Sequence, residues 1–114
     1  MNNRSRKKYA TRRKIEHGKR KDLHKILDLV LDINGLEGRW REVSRNLPTV
    51  FFYFHGHVGS VDVSVHTSGW GDGLHPNWRG EARNVGDADQ LAVRLETLRD
   101  ELLTRTGGTE DGLL

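Results

Sequence analysis

The sequence predicts a single small α+β domain: an antiparallel sheet of three to four strands packed by two helices, in the order α-β-β-β-α, behind a disordered basic arm. Three observations carry that expectation. From Val50 to Trp70 the chain is dense in β-branched and aromatic residues and is interrupted by Gly56-His57-Val58-Gly59, which marks a hairpin. On either side of it, apolar residues recur at spacings of three and four, the pattern of amphipathic helices. Every lysine lies within the first 25 residues. A chain of 114 residues has room for one core of this kind. The expected boundaries are an arm over 1–18, a domain over 19–106 and a flexible tail over 107–114.

Taken in order, residues 1–18 have few apolar side chains and much like charge, so they bury too little surface to offset the entropy of ordering and are expected to be disordered when free. From about Lys19, the residues Leu23, Ile26, Leu27, Val30 and Ile33 form one helical stripe, which Asn34-Gly35 ends. A short strand is expected over Gly38 to Ser44, followed by a turn at Asn46-Leu47-Pro48.

A four-residue hairpin turn fixes the register: His55 faces Ser60, Phe54 faces Val61, Phe52 faces Val63 and Val50 faces Val65. Those apolar pairs share one face. Alternation places Thr49, Phe51, Tyr53 and His55 on the other, opposite His66, Ser64, Asp62 and Ser60. Ser68 to Gly80 reads as a glycine-rich loop carrying Trp70 and Trp78, without the strand-loop-helix order or the Lys-Ser/Thr pair of a phosphate loop. A last strand over Asn77 to Asn84 places Trp78, Gly80 and Ala82 on one face. The final helix starts at Asp87, with Gln90 three residues on, carries Leu91, Leu95, Leu98 and Leu102, and ends at Gly107-Gly108.

Composition narrows the functional classes. Without cysteine there is no disulfide and no thiolate metal site, which fits a reducing compartment. The longest apolar run, near Ile26 to Ile33, is broken by Asp28 and Asp32 and falls far short of the roughly 20 apolar residues of a membrane span. No apolar segment follows the basic N-terminus, as a secretory signal requires. A cytoplasmic protein without membrane contact is expected. Residues 1–25 hold eleven Lys and Arg against Glu16 and Asp22, while residues 26–114 hold eight Arg against fourteen acids. A basic arm on an acidic body suits a polyanionic partner.

The residues expected to touch nucleic acid or a nucleoprotein are Arg4, Arg6, Lys7, Lys8, Arg12, Arg13, Lys14, Lys19, Arg20 and Lys21, since each phosphate contact releases counterions. Trp40, Phe51, Tyr53, Trp70 and Trp78 are candidates for contact with a protein or a base, because aromatic rings on a sheet stack on unpaired bases. Against this, a helix or Trp70 covering the Phe51 and Tyr53 face would turn them into core. No metal or cofactor is expected. His55, His57 and His75 converge on an ion only if the glycine loop folds back. Ser60, Ser64, His66, Asp62 and Asp72 lie close in sequence, yet nothing suggests a nucleophile elbow or an oxyanion hole, so no catalytic residue is assigned.

The order helix, strands, helix is also that of the double-stranded-RNA-binding domain. That family places a basic cluster at the start of its last helix, where this chain has Asp87-Ala88-Asp89-Gln90. The acidic start argues against that mode of binding. The chain resembles, more closely, the small phage-encoded anti-CRISPR proteins that inhibit Cas9 and pair an Arg/Lys-rich N-terminus with an αβββα core. The matching stretches are Arg4-Ser5-Arg6-Lys7-Lys8-Tyr9, Arg12-Arg13-Lys14, Leu36-Glu37-Gly38-Arg39-Trp40, and Val61 to Val65 running into His66-Thr67-Ser68. The resemblance implies a non-enzymatic inhibitor, in the host cytoplasm if phage-encoded, whose arm helps to block a nuclease loaded with guide RNA. The alternatives are a DNA- or RNA-binding accessory protein with no protein target and, more distantly, a metal-dependent hydrolase using His55, His57 and His75.

Overall fold

In a computed structural model, which describes residues 3–39 and 46–113, the hairpin forms in the register that its alternating side chains dictate. Strand β1 (Thr49–His55) pairs with β2 (Ser60–His66), matching His55 with Ser60, Phe54 with Val61, Phe52 with Val63 and Val50 with Val65. The turn closes because Gly59 takes φ 67° and donates its N–H to the His55 carbonyl at 2.8 Å. Strand β3 (Trp78–Ala82) then pairs antiparallel with the free edge of β2, setting Ala82, Gly80 and Trp78 beside Val61, Val63 and Val65. Among the described residues the sheet has three strands in the order β1-β2-β3. The strand expected over Gly38 to Ser44 falls largely on residues 40–45, outside the described residues, and Gly38 and Arg39 themselves are not strand.

Only one face of β2 is apolar, and both helices take it. Helix α1 (Asn3–Asn34) buries Ile26, Leu29, Val30 and Ile33, and helix α2 (Val85–Leu113) buries Ala88, Leu91, Ala92, Leu95, Leu98 and Leu102. These side chains form one cluster with Val61, Val63, Val65 and Ala82. α1 packs over β1, α2 over β3, and the helices pack against each other. Leu23, Val50, Phe52 and Trp78 seal the margin of the cluster, whereas Phe54, expected in the core, is exposed at the end of β1.

Two polar ties fix α1 along the sheet. The Asn34 carboxamide oxygen accepts the Val50 N–H at 3.0 Å, and the Lys19 ammonium donates to the carbonyls of Gly59 and Arg83. From Lys19 to Asn34 at 1.5 Å per residue is about 23 Å, the span of a seven-residue strand. The helix, however, begins at Asn3 rather than near Lys19, so residues 3–18 overhang the hairpin turn by about 24 Å. The low apolar content that predicts an arm disordered when free is consistent with this overhang, whose described side chains Arg6, Lys14, Glu16 and His17 are exposed.

Both ends of α2 also move outward from the expected bounds. Its start is capped by Asn84, whose side-chain oxygen accepts the Asp87 N–H at 2.9 Å while the Asp87 carboxylate accepts the Arg83 N–H at 3.4 Å. At the other end the helix runs through Gly107-Gly108 to Leu113, into the expected tail. A glycine in a helix costs about 1 kcal/mol relative to alanine, which is a penalty and not a stop. Among the described residues no helix is long and apolar enough to cross a membrane.

Candidate nucleic-acid interface

With both helices on one side, side-chain alternation leaves the other face of the sheet uncovered by either. Along β1 that face carries a ladder of rings. Phe51 and Tyr53 stand parallel within 6° with centroids 6.4 Å apart, and Tyr53 and His55 follow at 6.4 Å and 23°. His57 continues the row into the turn, 6.4 Å from His55 and edge-on to it. At the opposite end Phe51 meets His66 edge-to-face at 5.8 Å. Tyr53 is 53% exposed. β2 and β3 add Asp62, Ser64, Arg79 and Glu81 beside Tyr53, which together line a shallow, open concavity.

The carboxylates on this face have partners. His55 Nε2 lies 2.6 Å from Asp62 Oδ2, and Arg83 Nε donates to Glu81 Oε1 at 2.8 Å. His66 is buried at 6% exposure where the loop after β2 turns back. Burial first, then the charges of Arg79 and His75, hold its imidazole below the ordinary value of 6.5, so it is neutral at pH 7. The same loop is pinned by Asn77, whose carboxamide accepts the Thr67 N–H at 3.0 Å and donates to the Thr67 hydroxyl at 2.6 Å. His75 therefore belongs with His66, at the far end of the hairpin from His57. The convergence of His55, His57 and His75 does not occur, and among the described residues no group of three or more His, Cys, Asp or Glu is placed to hold a metal ion.

The cations expected to meet phosphates lie on α1. Arg6, Lys14, Arg20 and Lys21 are exposed there, and Lys19 is instead the tie to Gly59 and Arg83. Arg4, Lys7, Lys8, Arg12 and Arg13 fall on the same helix, with side chains outside the described residues. Placed on a helix, the run has a regular spacing. Arg-Lys pairs recur at 6–7, 13–14 and 20–21, and a seven-residue repeat keeps positions on nearly one face of a helix. That repeat is visible in the sequence, but it has meaning only for a helix.

The candidate aromatics separate. Phe51 and Tyr53 stand on the open face, while Trp78 lies on the helix side at the margin of the core, with the Arg94 guanidinium 5.0 Å above its ring, a cation-π distance. Trp70 is partly exposed in the loop after β2, and Trp40 lies outside the described residues. The features that define the class are thus a two-layer α+β sandwich, an open aromatic sheet face and a basic helical overhang. No family model matches the chain, and no curated protein and no solved structure is detectably similar to it.

Proposed function

We propose that this protein is a non-enzymatic binder of nucleic acid within a nucleoprotein. The observation that carries the reading is the concentration of positive charge on one overhanging stretch of helix. Residues 1–18 hold seven Lys and Arg against Glu16, a net of +6, so the remaining residues carry −3 of the total of +3. The overhang supplies salt-sensitive attraction to phosphates, and the acidic body keeps the rest of the surface from binding polyanions indiscriminately. The nucleoprotein implied by the anti-CRISPR resemblance is Cas9 with its guide RNA, and the α-β-β-β-α order is compatible with that target. The accessory-protein reading, in which bare RNA or DNA is the whole target, draws its support from the open aromatic face.

Co-purification separates the two. Full-length protein and a version lacking residues 1–18 are each mixed with guide-loaded Cas9, with bare RNA and with bare DNA, at low and at raised salt. Retention on the ribonucleoprotein that exceeds retention on free RNA, and that weakens on truncation, supports the inhibitor. Binding to bare nucleic acid alone supports the accessory protein. Absence of binding in every arm of the experiment removes both.

A further inference from the structure

We infer that the open face of the sheet is a stacking platform for unpaired bases, with Tyr53 at its centre and Phe51 and His55 on either side. The inference rests on the nucleic-acid reading above and names the form of nucleic acid the sheet accepts. Three features select single-stranded nucleic acid over a protein partner.

First, the apolar surface here is aromatic and narrow. Phe51 and Tyr53 are flanked by Ser64, Asp62 and Arg79, with no aliphatic side chain from β1 or β2 on this face. A helix or a second copy of the chain seeks a contiguous apolar patch, whereas a base needs one flat ring at a time.

Second, the ladder is regular. Its 6.4 Å step is about twice the 3.4 Å rise of a stacked strand, so successive rings suit bases drawn apart from one another. A duplex hides the flat faces of its bases and offers the ladder nothing to stack on.

Third, the charge lies where a strand would need it. The acids on the face, Asp62 and Glu81, are engaged by His55 and Arg83, while among the described residues Arg79 has no carboxylate partner. The His57 end of the ladder adjoins the hairpin turn to which Lys19 ties α1, so a strand leaving the ladder there meets the basic overhang.

The test is fluorescence anisotropy with labelled oligothymidylate, oligouridylate and a mixed-sequence DNA duplex, using the full-length protein, Tyr53→Leu and Tyr53→Trp. Tyr53 is exposed enough for either variant to fold, which circular dichroism checks. The expected result is a loss of roughly tenfold in single-strand affinity for Tyr53→Leu, with recovery in Tyr53→Trp and duplex affinity unchanged. Equal single-strand affinity in the full-length protein and Tyr53→Leu overturns the platform. If duplex binding through the overhang persists in that case, the platform fails alone. If no probe binds at any salt, the platform fails together with the bare-nucleic-acid reading, and retention on the guide-loaded ribonucleoprotein decides the inhibitor reading separately.

Discussion

Gly80 is where the sheet and α2 come closest. A Cβ built there runs into Leu91 Cδ1, and the Trp78 ring lies 3.2 Å from the same point. Leu91 is buried in the core cluster. Gly80→Val is therefore expected to lower stability by about 1–3 kcal/mol through overpacking, read as a lower urea midpoint at unchanged slope. His66 makes a second prediction at this scale. Its folded value lies below 6.5 while the unfolded ring titrates near 6.5, so between the two the unfolded state binds more protons. Stability is then expected to fall as pH drops from about 6.5 through the lowered folded value, and to level off below it. His66→Gln should flatten that part of the curve, measured by urea midpoints between about pH 7.5 and pH 5.

At the scale of elements, helix and sheet are joined by the core and by a few polar ties of unequal weight. The ion pairs between the helices, Asp32 to Arg99 at 3.0 Å and Lys25 to Glu96 at 3.5 Å, are largely solvent-exposed, and such pairs contribute about 0–1 kcal/mol. Asn34 matters more, because without its oxygen the Val50 N–H at the edge of the core loses its acceptor. Asn34→Ala is expected to cost about 1–2 kcal/mol in a thermal or urea melt, while Asp32→Asn should change little. The hairpin was legible in the sequence to the residue, because a period of two and glycines bounding the turn leave a single register that gathers the valines. The start of α2 was not, since Asn84 with Asp87 and Asp87 with Gln90 present the same capping spacing. The openness of the outer face had a signal that pattern reading overlooked. Central strand β2 places Asp62 and Ser64 on its second face, so the apolar stripes of two amphipathic helices had only one face to share.

At the scale of the whole molecule, a body whose net charge is negative carries a basic helix that extends about 24 Å beyond the sheet. The described side chains of that extension, Arg6, Lys14, Glu16 and His17, are exposed, and the buried core residues of α1 begin only at Ile26. Changes in the overhang should therefore alter binding and spare folding. Charge and helical order can be separated there by a single residue. Thr11→Pro leaves every charge in place but removes a backbone donor in mid-overhang, against a helix preference of about 3 kcal/mol per proline. If the Arg-Lys pairs at 6–7, 13–14 and 20–21 act as a stripe, the variant is expected to bind duplex nucleic acid more weakly at every salt concentration and to give a shallower slope of log affinity against log salt. The slope should fall by about 0.9 for every duplex phosphate that the broken helix no longer reaches. The thermal midpoint of the body should stay unchanged, because the packed stretch from Leu23 to Ile33 is intact. An unchanged slope and affinity in Thr11→Pro would mean that the overhang acts as a cloud of charge, and that the seven-residue spacing plays no part in binding.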